Sequence, residues 1–309
     1  MAYVLREEMS KPERFAPGHR LCAGCGAGIT CRAMMRALDP EDKAVICNAT
    51  SCLEVSSFQY PYTAWEDSYI HSAFENTAAT AAGVESAYRL KKKKGLIKDN
   101  YKILAIGGDG GTYDIGFQSI SGAFERGHDF TYFCYANAAY MNTGTQRSSA
   151  TPVFASATTT PAGLESVGKK QVQKDLTRII VAHGSPYVAQ TTFLGNFKDF
   201  HQKAHRAIYT EGPTFVNVLC PCPRGWGYDA ELLPEICKLA VETCFWPLYE
   251  VVNGVYYLNY EPKKKLPIEE FLRPQNRFRH MFKPGNEWTI EAAQKYVDDR
   301  WEALLAQCE

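Results

Sequence analysis

The sequence predicts an α/β fold built on a mostly parallel sheet with helices on both faces. Short apolar, β-branched segments alternate along the chain with longer helical patterns, and several short segments end in Gly, Asp or Asn. The chain has 309 residues, 45% of them hydrophobic, which is enough for one large α/β domain or two small ones. In such a sheet both faces are covered, and ligands bind at the carboxyl ends of the strands.

The individual elements follow from this alternation. The predicted strands are Ala44–Cys47, Ile103–Ile106, Thr131–Tyr135, Ile179–Ala182 and Phe215–Leu219. The predicted helices are Ala27–Ala37, Ser72–Leu90, Ile115–Arg126, Phe197–Tyr209 and Glu231–Glu242. Lys91–Lys94 fits a solvated helix C-terminus, where the helix dipole favours cations. The composition shifts after residue 255, so we predict a main domain at 1–255. A C-terminal extension at 256–309, with a helix at Asn286–Gln307, would pack on that domain or on a partner chain.

Charge and hydropathy exclude several classes of protein. The 34 basic residues balance 34 acidic ones, so the chain lacks the basic surface typical of nucleic-acid-binding proteins. No apolar run approaches membrane-spanning length. The N-terminus, MAYVLREEMSKPERF, has charges of both signs and no apolar core, so we expect no signal peptide. We therefore predict a cytoplasmic protein without nucleic-acid or membrane partners.

The segment from Gly107 to Gly144 carries the clearest ligand-binding pattern. An apolar strand runs into Gly108-Asp109-Gly110, a helical stretch follows, and a second apolar strand runs into Asn137. This strand–helix–strand crossover places two parallel strands about 4.8 Å apart, with Asp109 and Asn137 at the same edge. Carboxylate and amide oxygens among glycines suit a magnesium–diphosphate group.

A magnesium ion at this edge would take three protein oxygens: the Asp109 carboxylate, the Asn137 amide oxygen and the Ala139 carbonyl. Diphosphate oxygens and water would complete an octahedron. Further polar contacts are available from Asn142, Thr143 and Gly144. The alternative is that Gly108–Gly111 is only a tight strand–helix turn and Asp109 a helix cap. The spacing matches neither a dinucleotide-binding GxGxxG nor a P-loop.

Eleven cysteines form the second pattern. In a reducing cytosol they do not indicate a disulfide framework. Seven fall in two stretches: Cys22, Cys25, Cys31, Cys47 and Cys52, then Cys220 and Cys222. Of these, Cys31 and Cys47 are predicted to be structural. The remaining four lie in apolar contexts and are predicted to be small buried hydrophobes: Cys134, Cys237, Cys244 and Cys308.

The CxxC at Cys22 and Cys25 allows three interpretations: a thiol redox pair, half of a structural zinc site or half of a [4Fe–4S] site. A redox pair would follow a strand, and zinc would need a second CxxC or a His pair. A cluster needs four thiolates. Cys52 and one of Cys220 and Cys222 can supply the other two, because both positions follow strands that should end at the same sheet edge.

Taken together, these motifs resemble the beta subunit of 2-oxoacid:ferredoxin oxidoreductases, pyruvate synthase type. Besides Gly108-Asp109-Gly110 with Asn137 and the CxxCG, the resemblance rests on segments along nearly the whole chain. These are SCLEVSSFQYPYTAW (51–65), HSAFENTAA (71–79), YDIGF (113–117), AYMNTGTQRSSATP (139–152) and PCPRGW (221–226).

The resemblance implies a thiamine-diphosphate-binding fold and a set of site residues. Mg²⁺ would be held by Asp109, Asn137 and the Ala139 carbonyl. One [4Fe–4S] cluster would be ligated by Cys22, Cys25, Cys52 and Cys222, with Cys222 preferred because it matches the family's PCPxGW.

The implied activity is oxidative decarboxylation of a small 2-oxoacid, with release of CO₂ and transfer of single electrons to ferredoxin. The resemblance implies that the activating glutamate comes from an alpha subunit, so that this chain is active only with partners. Further clusters would lie on ferredoxin-like gamma or delta subunits. Coenzyme A takes the acyl group in the pyruvate enzymes.

One departure from the family pattern bears on the substrate. Relatives commonly carry acidic residues where this chain has Ala136 and Ala138. A less negative neighbourhood would suit a more anionic substrate, so oxalate stands beside pyruvate as a hypothesis.

Four polar residues could face the active site, although each could equally be structural: Glu54, His71, Arg147 and His19. Two other functions stay open: a non-redox thiamine diphosphate enzyme subunit with structural zinc at the cysteines, and a small-molecule-binding or scaffold subunit without chemistry of its own.

Overall fold

The computed structural model describes residues 5–308 and contains one eight-stranded sheet and a short hairpin. The strands, in chain order, are β1 Lys43–Ala49, β2 Phe58–Gln59, β3 Tyr62–Thr63, β4 Ser68–Ser72, β5 Tyr101–Gly108, β6 Thr131–Ala136, β7 Tyr187–Thr191, β8 Thr214–Leu219, β9 Tyr249–Val252 and β10 Val255–Leu258. Strands β2 and β3 form the hairpin.

The α-helices are α1 Leu5–Ser10, α2 Gly26–Met35, α3 Cys52–Ser57, α4 Thr77–Lys93, α5 Phe117–Glu125, α6 Leu176–Val181, α7 Phe197–Tyr209, α8 Pro223–Trp226, α9 Leu233–Glu242, α10 Ile268–Leu272 and α11 Glu287–Leu305. A π-helical turn covers Gly110–Ile115, and 3₁₀ turns cover Ala230–Leu232 and Asn276–Phe282.

The large sheet has the order β10-β9-β7-β8-β6-β5-β1-β4. The six strands from β7 to β4 pair in parallel, while β9 and β10 add an antiparallel edge. Strands β5 and β6 are parallel neighbours, with Gly108 beside Tyr135. The predicted mostly parallel sheet and its central crossover are therefore confirmed.

Two hydrophobic clusters cover the two faces of the sheet. Along β5, Ile103 and Ala105 belong to one cluster, whereas Leu104 and Ile106 belong to the other. Alternate residues of a strand point to opposite faces, so both faces of β5 are buried. Helices α4, α5 and α9 contribute to the first cluster and helices α2 and α7 to the second. Helices on both faces are thus confirmed.

One predicted strand and the start of one predicted helix are wrong. The segment predicted as the strand Ile179–Ala182 lies in helix α6, which Asp175 caps by accepting the N–H of Arg178 at 3.3 Å. The strand in this region is β7, and all five of its residues are buried. A short apolar run does not by itself distinguish a buried strand from a buried helix, and here the cap decides it. Similarly, Ser72 ends β4, and α4 begins only at Thr77.

The C-terminal region packs against the same core as the main sheet. Strand β10 pairs with β9, and α11 places Ala293, Val297, Trp301 and Leu304 in the first hydrophobic cluster. The division at residue 255 stays a prediction. Residues 1–4 of the N-terminal segment lie outside the described residues. Within residues 5–308, no helix combines the length and apolar character needed to cross a membrane.

Candidate cofactor site

Four neighbouring strands of the sheet end at one edge and bring the predicted residues together. Cys52 follows β1, Asp109 follows β5, Asn137 follows β6, and Cys222 follows β8. These strands are adjacent and parallel. The expectation that the oxygen donors and two of the cysteines share a sheet edge is therefore met.

Asp109 is fully buried at the centre of this edge. Its Oδ1 accepts the backbone N–H groups of Asn137 and Ala138, each at 3.0 Å, and its Oδ2 accepts the hydroxyl of Ser148 at 2.5 Å. Burial raises the pKa of Asp109 to about 7, and the hydrogen bonds from Ser148 and the backbone oppose that rise. A bound cation would favour the ionised carboxylate.

The side-chain amide of Asn137 joins Asp109 to Ala139. One atom of this amide lies 2.9 Å from Asp109 Oδ1 and 2.9 Å from the Ala139 carbonyl oxygen. With nitrogen at that position, the amide donates to both oxygens. With oxygen there, three hard oxygens face one another, an arrangement that a cation such as Mg²⁺ stabilises.

These three donors fit magnesium by their chemistry. Within residues 5–308, no three His, Cys, Asp or Glu side chains come close enough to hold a metal ion. A site with one carboxylate, one amide and one backbone carbonyl does not require such a group, because Mg²⁺ keeps several water or phosphate ligands.

Gly108, the last residue of β5, and Gly110 lie against tyrosine rings, while their predicted contact with an anion stays a prediction. We expected Gly108 and Gly110 to allow the backbone to approach an anion. A Cβ on Gly110 would lie 2.4 Å from Tyr140 Cε1, and a Cβ on Gly108 would lie 3.3 Å from the Tyr135 hydroxyl. Tyr140 also donates its hydroxyl to the Gly110 carbonyl at 3.1 Å. These glycines therefore make room for tyrosines that pack around Asp109. The π-helical turn that follows is a feature common near functional sites.

The turn at Asn142, Thr143 and Gly144 is exposed. Gly144 has a φ of 121°, which favours glycine, and Thr143 donates its hydroxyl to Gln146 Oε1 at 2.6 Å. Asn142 lies near enough to the Cys52 thiol to lower its pKa slightly, against the larger effect of burial. This turn therefore reaches the cysteines, in addition to following the predicted magnesium ligands along the chain.

Two cysteine loops contact each other directly. The N–H of Gly26 donates to the Pro221 carbonyl at 3.2 Å, and a Cβ on Gly26 would lie 2.8 Å from that oxygen. Glycine is therefore required for the CxxC loop to approach the loop of Cys220 and Cys222.

The four predicted cluster ligands interact electrostatically. Beyond the larger effect of burial, Cys22, Cys25 and Cys222 lie close enough to Cys52 to raise the pKa of its thiol by charge repulsion. Burial raises the pKa of the Cys25 and Cys222 thiols, and it raises that of Cys52 to about 12. All eleven cysteines are free thiols. Within residues 5–308, these thiols do not come close enough together to hold a single metal ion.

The remaining cysteines are mainly packing residues. Cys220 is buried, and its thiol lies 3.4 Å from the Thr30 hydroxyl. Cys134, Cys237 and Cys244 are buried, as predicted, and Cys31 and Cys47, predicted to be structural, are buried too. The predicted burial of Cys308 is wrong: it is only half-buried, because it lies just past the end of α11.

Glu54 and His71 form a polar pair beside the same edge. Glu54 is buried, with its Oε1 3.7 Å from His71 Nε2, and the Thr50 hydroxyl lies 2.8 Å from the same nitrogen. Burial raises the pKa of Glu54, and the charge of His71 opposes that rise. His71 itself is exposed, so this pair connects a buried carboxyl group to the surface.

Two other predicted candidates differ in their surroundings. The backbone N–H of Arg147 donates to the Thr159 hydroxyl at 3.0 Å, and its side-chain Nε is buried without a hydrogen-bond partner among residues 5–308. His19 stacks on Phe15 with ring centroids 5.1 Å apart, which fits a structural role.

Sequence reasoning missed two contacts that organise the site. Ser148 donates to Asp109, and the Trp226 indole N–H donates to the Asn137 carbonyl at 2.7 Å. Ser148 lies 39 residues beyond Asp109, in an irregular loop without a periodic pattern. For Trp226 a signal exists, since a fully buried indole needs an acceptor.

The chain is similar to known proteins over nearly its whole length. Residues 47–218, more than half of the chain, match the family model described as thiamine pyrophosphate enzyme, C-terminal TPP binding domain. The pyruvate synthase subunit PorB of Methanocaldococcus jannaschii is 49% identical over 96% of this chain and 98% of its own length. The corresponding subunit of Thermotoga maritima is 48% identical over 97% of this chain and 94% of its own length.

The chain belongs to the beta subunits of 2-oxoacid:ferredoxin oxidoreductases. A solved structure of 2-oxoglutarate:ferredoxin oxidoreductase from Magnetococcus marinus shares the fold, with a TM-score of 0.56 over 68% of this chain and 67% of that one at 22% identity. This beta subunit is thus a thiamine-diphosphate-related oxidoreductase subunit, and Asp109 and Asn137 both lie inside the matched domain.

Proposed function

We propose that this beta subunit holds magnesium and thiamine diphosphate at the ends of β5 and β6 and a [4Fe–4S] cluster on four cysteines. With its partners it would oxidatively decarboxylate a small 2-oxoacid. The convergence of Asp109, Asn137 and the Ala139 carbonyl within the matched thiamine diphosphate domain carries this proposal. Asp109 would remain ionised beside the cation, with Ser148 and two backbone N–H groups holding its orientation.

When bound, thiamine diphosphate supplies the carbon nucleophile and electron sink for decarboxylation, and an iron–sulfur cluster accepts electrons one at a time. The protein's own contribution is position. Cys22, Cys25, Cys52 and Cys222 would bind the cluster as thiolates, which requires the loss of their protons. Asn142, which lies near the Cys52 thiol, would bring the loop that follows the magnesium ligands close to the cluster.

Glu54 and His71 are the proposed proton-handling pair of this subunit. The buried Glu54 retains a proton more readily than an exposed glutamate does, and His71 offers a route to solvent. Arg147 is a candidate for binding an anionic substrate or partner, because its Nε lacks an acceptor among residues 5–308. The glutamate that activates the cofactor would come from the alpha subunit.

Pyruvate is the proposed substrate class. The relatives named pyruvate synthase support this choice. Coenzyme A would then accept the acyl group. Oxalate is the second candidate, because Ala136 and Ala138 beside Asn137 carry no charge and leave this neighbourhood less negative.

Partner binding is proposed for the hairpin of β2 and β3. Tyr60 and Tyr62 are 89% and 79% exposed at its tip, and paired exposed aromatic rings are typical of interaction surfaces. The hairpin begins directly after α3, which starts at Cys52. An alpha subunit or a ferredoxin-like subunit would dock there. Eleven free thiols suit a reducing, cytoplasmic location.

Anaerobic purification of the subunit with its co-expressed partners tests this proposal. We expect a brown complex with a visible band that dithionite bleaches, and magnesium-dependent thiamine diphosphate binding. Side-by-side assays should show coenzyme-A-dependent oxidation of pyruvate with reduction of ferredoxin. A colourless beta subunit with stoichiometric zinc would overturn the cluster assignment. Turnover of oxalate but not pyruvate would overturn the substrate assignment and leave the cofactor assignment standing.

A further inference from the structure

A polar cleft of about 670 Å³ lies beside α8 and the 3₁₀ turn Asn276–Phe282. It is bordered by four strongly cationic side chains, Arg224, Arg277, Arg279 and Lys283, together with His280, and none of its lining residues is Asp or Glu. The chain as a whole is electrically neutral, so this is a local excess of positive charge.

These cations are not neutralised by neighbouring carboxylates. Within residues 5–308, none of Arg224, Arg277, Arg279 and Lys283 makes an ion pair of 4.0 Å or less with Asp or Glu. Other arginines nearby do: Arg273 pairs with Glu269, and Arg300 lies 3.1 Å from Asp175. The cleft therefore concentrates the unpaired cations of this region.

Arg277 is the buried member of the group, with 6% of its surface exposed. Its Nε donates to Gln275 Oε1 at 2.9 Å, and its guanidinium carbon lies 3.8 Å from the centre of the Trp226 ring. Its Nη2 is buried and has no hydrogen-bond partner among residues 5–308. A buried charged donor without an acceptor costs free energy, so an anionic acceptor bound here would stabilise the protein.

We propose that this cleft binds the diphosphate of a nucleotide-sized ligand, held by Arg277 at the inner wall and by Arg224, Arg279 and Lys283 at the rim. Guanidinium groups match phosphate oxygens through paired hydrogen bonds, and three arginines around one cleft favour phosphate recognition. The volume lies in the range typical of small-molecule sites.

The cleft is distinct from the thiamine diphosphate site. Trp226 borders the cleft with its ring, while its indole N–H donates to the Asn137 carbonyl at the other site. Neither Asp109 nor Asn137 lines the cleft. The cleft adjoins the proposed cofactor site, because Arg277 interacts electrostatically with Cys222 and Asp109. The proposal itself rests on side chains to which the proposed function assigns no role.

Isothermal titration calorimetry of the full-length reduced chain with ADP, in EDTA and low salt, tests this proposal. EDTA removes the magnesium on which binding at Asp109 would depend. We expect saturable 1:1 binding that weakens with added salt. The double variant Arg279→Ala/Lys283→Ala should lower affinity by roughly 10-fold or more, the value of one charge-assisted contact. Both side chains are exposed, and unchanged circular dichroism would confirm that the variant folds.

The matched control is Lys263→Ala/Lys264→Ala, which removes two exposed cations outside the cleft and should bind ADP normally. Asp109→Ala should also bind ADP normally. Equal losses in the control variant would mean non-specific attraction and would overturn the proposal, as would loss of ADP binding in Asp109→Ala. Inorganic pyrophosphate binding as tightly as ADP would support the phosphate site but overturn the nucleotide. Malonate binding more tightly than ADP would overturn phosphate recognition.

Discussion

The two halves of the candidate site are assembled in different ways. The proposed magnesium donors Asp109, Asn137 and Ala139 come from one strand–helix–strand crossover. Hydrogen bonds of 3.0 Å or less join Asp109 to Ser148 and to the backbone after β6. The four cysteines come from three separate segments, before α2, after β1 and after β8. Their thiols interact electrostatically with one another.

This difference indicates how far the binding geometry of each half is already formed before its cofactor binds. The oxygen donors are already in contact, because the sheet register and the buried hydrogen bonds hold them. The thiols are near one another but not in a single-metal geometry within residues 5–308. We therefore expect the diphosphate half to be preorganised and the cysteine half to be completed by its metal.

The largest expected effect is the loss of cofactor binding in Asp109→Ala. Removing the only carboxylate among the three donors should weaken magnesium-dependent thiamine diphosphate binding by at least about 100-fold, since even supporting residues around a metal contribute 10–100-fold. Calorimetry with and without Mg²⁺ measures this effect, and iron content should stay unchanged. The control Asp129→Ala removes an exposed aspartate just before the start of β6. Normal cofactor binding by Asp109→Ala would contradict the magnesium assignment.

The cysteine half can be tested by comparing Cys222→Ala with Cys220→Ala. These cysteines are two residues apart. Cys222 interacts electrostatically with Cys22 and Cys52, whereas the buried Cys220 thiol lies 3.4 Å from the Thr30 hydroxyl. We expect Cys222→Ala to lose most of its iron and sulfide after anaerobic purification, whereas Cys220→Ala retains both. Thiamine diphosphate binding should survive in each variant. Retention of the full cluster in Cys222→Ala, with loss in Cys220→Ala, would reverse the assignment.

A smaller effect is expected for Gly110→Ala, which tests the preorganisation of the diphosphate half. The added methyl group would lie 2.4 Å from Tyr140 Cε1, so Tyr140 must move, at a cost of about 1–3 kcal/mol. Cofactor affinity should fall roughly 10-fold, and the melting temperature should drop. Gly83→Ala, in α4 with no atom within 4 Å of the new methyl, should instead stabilise the chain by up to about 1 kcal/mol. Equal effects of the two variants would argue against a packed diphosphate half.

The smallest effect is a pH dependence from Lys169, which is buried and donates to the carbonyls of Ser149 and Thr151 beside Ser148. Burial lowers the pKa of Lys169 to about 8 from 10.5. Between these values the unfolded chain binds a proton that the folded chain has lost, so the contribution of Lys169 to stability rises with pH. Between pH 8 and pH 10 the free energy of unfolding of the native chain, measured in urea, should rise by about 2 kcal/mol relative to that of Lys169→Met. Parallel pH curves for the two proteins would contradict this.

The sequence was most informative where a function depends on one continuous segment. The crossover from β5 to β6 could be predicted because its strands are mainly apolar and a polar residue follows each of them. That prediction located Asp109 and Asn137 together. It did not locate Ser148 or Tyr140, since a long irregular loop has no periodicity from which a contact could be inferred.

The cysteines show the opposite case. Their spacing identified four candidates, and the resemblance to a family selected Cys222 over Cys220. The approach of the CxxC loop to Pro221 depends on Gly26 and on the position of β8 in the sheet. Strand order is set by long-range packing, which local patterns do not encode.

The sequence by itself determined the fold class, the family and the candidate ligands of both cofactors, because these depend on residue types at fixed spacing. The tertiary structure decided that Asp109 is buried and already in contact with its neighbours. It also decided that Ala136 and Ala138 pack in the core and that Arg224 lies beside the distant Arg277 at an open cleft. These features arise from side chains that are remote in sequence and meet only when the sheet and its helices pack together.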